Sequence, residues 1–307
     1  MVIINYFFMC LIFGTTFLAI KIGVDAGVPP FLSAGLRFFI AGLLLFSMMV
    51  WKGKTTILLL FRKEMFFTGV GLTFGTFATL YWAEQYVTSG IAAVLSATAP
   101  MMIIVIQTFI LKQKENRKSL IGCVVGVIGV TFLILPSFSI VVSPFWLVGC
   151  FAIIIGQIFY ASGTIYTKHV IRKFEKTSPI ALNAAQMMHG GILLIILSIF
   201  TENIQSDDLL SPASIGSLLY LIIFGSMIAH SIYYWLVSRT NPVFPSTWLY
   251  ISPLIAVILG VILYHEYISW LTGIGALTII VGTILVNFKT LRELLLGKGT
   301  VLQDVKN

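Results

Sequence analysis

The chain has 307 residues, of which 58% are hydrophobic and 10% charged, with a formal net charge of +8. Soluble domains carry about a quarter charged residues, so this composition speaks against a soluble enzyme and excludes a disordered chain; three Cys in this length exclude a disulfide scaffold. The basic residues form short clusters between long uncharged runs, which points to a lipid bilayer and not to nucleic acid as the partner.

Ten mostly apolar segments, each near the 20 residues that span a bilayer as a helix, follow one another at roughly 2–22, 31–51, 65–86, 90–111, 119–136, 144–167, 178–200, 214–238, 243–264 and 268–288. Turn-forming residues such as Pro29-Pro30, Lys52-Gly53-Lys54, Ser178-Pro179 and Asn241-Pro242 separate them. No segment sustains the alternation of a β-barrel strand. The first has no basic flank before it and no convincing cleavage site after it, so it is expected to be a membrane helix rather than a signal peptide.

Ionisable groups are costly at bilayer depth, about 2.5–3.5 kcal/mol each at mid-helix, so the few present stand out. Segment 1 carries Lys21 near its end and, just beyond, Asp25; segment 2 carries Arg37, and Glu84 lies near the end of segment 3. A pair between Arg37 and Glu84 is expected to offset part of that cost. Arg37 suits a carboxylate headgroup through a two-pronged contact, and Glu84 suits an amine or a proton. Ser226, His230 and Tyr233 in segment 8 share a helix face, matched in segment 3 by Thr73, Phe77 and Leu80. Gln157, Tyr160 and Thr164 share a face in segment 6, as do Asn183, Gln186 and Gly190 in segment 7. These neutral groups fit interhelical hydrogen bonding at least as well as cargo contact. His230, and less so His189, is a candidate proton-coupling group. Pro100 and Pro253 lie inside segments 4 and 9, where each is expected to break a helix hydrogen bond and kink the span. Tyr81, Trp248 and neighbouring aromatics suit a pocket wall or a gate. Gly122, Gly126 and Gly129 form a small-residue stripe suited to close helix packing or a homodimer contact. No metal-ligand spacing or cofactor motif is evident.

Of the 19 Lys and Arg, all but Lys21 and Arg37 fall in alternate loops or in the tail from Lys289 onward. That asymmetry places both termini in the cytoplasm if all ten segments cross. The two halves also match one another. Tyr81-Trp82, Pro100, Gly122 and Gly129 recur 153 positions later as Tyr234-Trp235, Pro253, Gly275 and Gly282; Gly42 recurs as Gly191 at 149, and Gly14 with Phe17 as Gly156 with Phe159 at 142. The expected fold is therefore an all-α integral membrane protein of ten transmembrane helices in two inverted five-helix repeats, 1–136 and 144–288, followed by a polar, frayed cytoplasmic tail, 289–307. Five helices per repeat force opposite insertion, the architecture of alternating-access transporters.

Phe13-Gly14-Thr15-Thr16-Phe17 resembles the first-helix stretch of EamA-type transporters of the drug/metabolite transporter superfamily. Pro30 with Arg37-Phe38, the run from Ala83 to Leu95 with Pro100, and Pro253, His265-Glu266, Gly275 and Gly282 resemble later parts of the same family. The resemblance spans the whole chain. It implies a carrier in the bacterial inner membrane that moves a small metabolite without ATP, often by export, with amino acids and related amphipathic compounds among the candidate cargo and protons as a candidate coupling ion. A membrane-embedded enzyme or a scaffold without transport activity is the alternative; no hydrolase triad, Walker sequence or carboxylate dyad favours an enzyme.

Overall fold

The computed structural model describes residues 1–113, 117–135, 144–203, 211–255 and 269–296. Glu115, Asp207, Asp208, His265, Glu266, the far part of expected segment 9 and the tail from 297 lie outside the described residues. Within them every regular element is helical. The helical rods are α1 (Val2–Asp25), α2 (Pro30–Trp51), α3 (63–83), α4 (89–110), α5 (Arg117–Ile134), α6 (Pro144–Lys173), α7 (Pro179–Thr201), α8 (Pro212–Arg239), α9 (Val243–Ile255), α10 (Trp270–Val286) and α11 (Phe288–Leu295).

Local sequence sets the ends of these rods. Pro30, Pro179 and Pro212 each open a helix, where the missing N–H is not needed. Ser211 adds a side-chain cap, its hydroxyl accepting from the Ser214 N–H at 3.1 Å. At the end of α2, Gly53 turns left-handed at φ 65°; its own N–H reaches Val50 O at 2.9 Å and that of Lys54 reaches Met49 O at 2.9 Å. This double bond pattern stops the helix and satisfies its last carbonyls.

Among the described residues, α1, α2, residues 91–110 of α4, α6, α7 and α8 are each long and apolar enough to cross a membrane. A seventh arises if the bent pair α10–α11 counts as one span. Exposed Phe7, Leu18, Leu44, Phe151 and Leu277 leave the outside of the bundle apolar, as a lipid-facing surface requires. The protein is a multi-pass helical membrane protein.

Three local features depart from the sequence expectation. Segment 4 is interrupted at Ala97–Thr98, and Pro100 sits in the first turn of the piece that follows. Segment 9 breaks at Thr247, six residues before Pro253, which lies within the continuing helix. The tail is also not frayed at its start. Residues Phe288–Leu295 form α11, bent 71° from α10 and held by a 2.9 Å hydrogen bond from Asn241 Nδ2 to Thr290 Oγ1.

Glycines bring two helix pairs into backbone contact. A Cβ added to Gly122 would lie 2.9 Å from Gly282 O, and one on Gly275 would lie 2.8 Å from Gly129 O. Likewise a Cβ on Gly42 would meet Ala184 O at 2.8 Å and one on Gly191 would meet Gly35 O at 3.0 Å. In both pairs, α5·α10 and α2·α7, low numbers on one helix face high numbers on the other, so the rods run antiparallel. The contacts are also reciprocal. The 153 offset turns the first α5·α10 contact into the second, and the 149 offset does the same for α2·α7. The small-residue stripe of α5 is therefore spent inside the molecule.

Candidate functional site

Seven helices, α1, α2, α3, α4, α6, α8 and α9, converge on one cavity. Its walls come from both halves of the chain. Three pairs of lining residues are separated by the same 153 positions: Phe77 with His230, Leu80 with Tyr233, and Ser96 with Leu249. The helices that frame it are irregular. Residues Gly69–Gly75 of α3 and Leu221–Ala229 of α8 are π-helical, at nearly equivalent places in the two halves. Such wide turns shift the phase of a helix and recur at functional sites.

Most of the wall is apolar and aromatic. Phe13 packs on Trp248 with ring centroids 4.4 Å apart and meets the edge of His230 at 5.1 Å. Phe38 and Phe77 also pack around the His230 ring. Polar groups enter at a few points. Trp248 Nε1 donates to Tyr160 Oη at 3.2 Å, and Gln157 Nε2 donates to Ser96 Oγ at 3.4 Å and Ile153 O at 3.3 Å. Tyr233 Oη shares a 2.8 Å bond with Thr164 Oγ1. His230 Nε2 is buried with no hydrogen-bond partner among the described residues.

Arg37 dominates the electrostatics. It lines the cavity yet is only 1% exposed. Its Nε donates to Ser226 Oγ at 2.8 Å and its Nη1 to Tyr81 Oη at 3.2 Å. The guanidinium carbon lies 4.7 Å from the Phe38 ring centroid and 5.3 Å from that of Phe77. The expected Arg37–Glu84 pair is not formed. Serine, phenol and ring faces hold the guanidinium, and no described carboxylate lies within 4 Å of it. Glu84 is fully buried outside the cavity wall, and neither carboxyl oxygen has a partner among the described residues.

The sequence-derived residues thus divide. Arg37, Gln157, Tyr160, His230, Tyr233 and Trp248 meet at the cavity. Thr73 and Gln186 do not: Thr73 Oγ1 donates to Gln186 Oε1 at 2.8 Å, Gln186 Nε2 donates to Asn183 Oδ1 at 3.1 Å, and the cluster joins α3 to α7 away from the cavity wall. Tyr81 stands behind Arg37 as its support, and Pro100 and Pro253 are absent from the wall. Phe13, Thr16, Phe17, Phe77, Leu80 and Ser96 line the cavity although sequence reasoning does not single them out for it. The four-residue spacing of Phe13 and Phe17, and the offset linking Phe77 and Leu80 to His230 and Tyr233, are the available signals. Among the described residues no group of three or more His, Cys, Asp or Glu could hold a metal ion.

Lysines tie helix ends at both faces of the bundle. At the face of Asp25 and Pro30, Lys21 Nζ pairs with Asp25 Oδ1 at 2.7 Å and reaches Glu84 O at 3.3 Å. At the opposite face, Lys168 Nζ donates to the carbonyls of Val237, Ser238 and Thr240 at 2.8, 3.3 and 2.8 Å. Val237 lies 153 positions after Glu84.

The match to known proteins covers this whole framework. The model of the EamA-like transporter family fits residues 1–135 and again residues 147–288. The chain belongs to the EamA-like transporter family. It is thereby a transporter of the drug/metabolite transporter superfamily. Similar proteins include the uncharacterized inner membrane transporter YedA of Escherichia coli K12, 29% identical over 91% of this chain and 88% of that protein. The uncharacterized transporter YoaV of Bacillus subtilis is 26% identical over 91% and 94%, and protein PecM of Dickeya dadantii is 26% identical over 91% and 90%. A solved crystal structure, 18% identical, superposes with a TM-score of 0.76 over 94% of this chain and 97% of that one, a likeness of fold.

Proposed function

We propose that the chain is a ten-helix secondary transporter of a bacterial inner membrane, both ends in the cytoplasm, that exports a small carboxylate-bearing metabolite by alternating access. The units are the two inverted repeats 1–136 and 144–288. The reciprocal, antiparallel glycine contacts of α2·α7 and α5·α10 support that arrangement, because a repeat inserted in parallel would pack its equivalent helices parallel. Two separate fits of one family model support it as well.

One observation carries the reading of the cargo. Arg37 brings a full positive charge to the wall of a central cavity without a described carboxylate to neutralise it. Unpaired charge is costly at this depth, and a cargo carboxylate supplies what is missing. The aromatic wall of Phe13, Phe17 and Trp248 then takes the apolar body of the same molecule, while His230 Nε2, Gln157 and Tyr160 offer polar contacts. Amino acids and other amphipathic carboxylates fit this combination.

Transport follows from the same geometry. The bundle walls the cavity by helices of both repeats, so a relative tilt of the two halves opens it to one face while closing it to the other. The lysine ties at the two faces are the groups such a tilt must make and break. Flux measured in proteoliposomes with a panel of carboxylates and matched amines, with and without a pH gradient, tests this. Movement of carboxylates that Arg37→Gln sharply lowers supports it; equal movement of the amines, or none of any compound, refutes it.

A further inference from the structure

We infer that Glu84 is a proton-binding site and that its proton sets the charge Arg37 offers to an anion. The inference takes its use from the cargo site proposed above, but its chemistry stands on separate observations. The Glu84 side chain is fully buried, and neither oxygen has a hydrogen-bond partner among the described residues. An ionised carboxylate is not stable in such a place without a cation or several donors. The neutral acid is, so this conformation suits the proton-loaded form.

The charged and titratable groups that face Glu84 are few. Lys21 and Asp25 approach from α1, Arg37 from α2, and Tyr81 from one turn back on its own helix. At this end of α6, which packs against α3 through Gly149 and Ala83, the titratable side chain is the half-buried Cys150. Lys21 spends its charge on Asp25 at 2.7 Å, while the same ammonium lies 3.3 Å from the backbone oxygen of Glu84. Rotation of this one flexible side chain toward Glu84 is the movement by which Lys21 would leave Asp25 for the carboxyl. Asp25 is more than half exposed and finds water when released.

The two states differ in what reaches the cavity. With Glu84 neutral, Lys21 and Asp25 cancel and the charge of Arg37 is left over. With Glu84 ionised, the four groups sum to zero, and the negative charge lies on the helix that also carries Tyr81, the phenol bound to Arg37. Proton loading thus favours an anion beside Arg37, and proton loss favours its departure. Such coupling is reciprocal: the bound anion holds the proton in turn. The proton bond made is Glu84 O–H; on release the proton passes to water and Lys21 becomes the counter-ion.

The test needs no cargo. Infrared difference spectra between mildly acidic and mildly alkaline buffer are recorded on the full chain in lipid nanodiscs. The expected result is a C=O stretching band of a protonated carboxyl, at the high-frequency end of its range for lack of hydrogen bonds. Glu84→Gln removes the band, Asp25→Asn leaves it, and Glu84→Asp, which keeps the acid should the amide fail to fold, shifts it. A band that survives in Glu84→Gln and is unmoved in Glu84→Asp overturns the inference, as does a folded wild-type protein without the band. A carboxylate panel that fails to cross proteoliposomes refutes the transport reading and leaves this band intact, so the two failures are distinct.

Discussion

Replacing Gly282 by Ala adds one methyl group where the structure has no room for it. The new Cβ would lie 2.5 Å from Gly126 N, 2.7 Å from Gly126 Cα and 3.0 Å from Gly122 O, all backbone atoms of a facing helix. Non-bonded carbons rest about 3.5–4.0 Å apart, so α5 and α10 must separate by about 1 Å. A gap of that size forfeits about a quarter to a half of each dispersion contact along the seam, and overpacking of this kind costs about 1–3 kcal/mol. The gain in helix propensity from Gly to Ala, about 0.8–1.0 kcal/mol, works in the other direction. The net expectation is a loss of about 0–2 kcal/mol relative to wild type, and about 1–3 kcal/mol relative to a Gly-to-Ala change with no clash. Gly273 in the same helix is the control, because a Cβ added there would meet nothing within 4 Å and only the propensity gain applies. Thermal unfolding of the purified variants in detergent, followed by monodispersity after heating, reads the difference. Gly282→Ala should melt at or below wild type and clearly below Gly273→Ala, which should melt at or above wild type. If the two variants melt together, backbone contact between α5 and α10 is not what holds this seam.

Arg37→Gln should lower carboxylate flux about 10- to 100-fold, the equivalent of one charge-assisted contact of about 1.5–3 kcal/mol, with Arg37→Lys in between because the ammonium keeps the charge but not the fork. Lys168→Met removes three donors from the last carbonyls of α8; the end of that helix should gain hydrogen exchange at Ser238 to Asn241, and unchanged protection there would show the tie to be dispensable. Glu202 caps the start of α2, its two oxygens accepting from Phe31 N at 2.7 Å and Leu32 N at 3.0 Å. Glu202→Ala should cost about 0.5–2 kcal/mol of thermal stability, whereas Glu202→Gln, which keeps one acceptor, should cost less.

Much of the fold was legible because a bilayer imposes a length and an apolarity that the chain must display openly. Pro30, Pro179, Pro212 and Gly53 mark helix ends at the positions where the structure has them. The equivalence of Gly122 with Gly275 and of Gly129 with Gly282 was readable as a constant offset, and it reappears as reciprocal contacts. The candidate site was less legible. A helical wheel with 3.6 residues per turn puts Thr73 on the face of Phe77, but the π-turns at Gly69–Gly75 rotate it toward Gln186 instead. Charge complementarity suggests Arg37 with Glu84; the sequence cannot reveal that Ser226, 189 positions further along the chain, arrives first. Phe13 and Phe17 look like any lipid-facing aromatics until Trp248 is found packed against them.

The glycine seams of α2·α7 and α5·α10 set main chain against main chain, with Met188, Ile195, Ile279 and Leu285 packed beside the contact points. Each resists sliding, because axial displacement drives a carbonyl toward the neighbouring main chain. On the transport reading proposed above, two such fulcrums would favour swivelling of the bundle, with the contacts around α1, α3, α6 and α8 taking up the movement. Bulk introduced at either seam should therefore slow the proposed transport while leaving the cavity wall untouched.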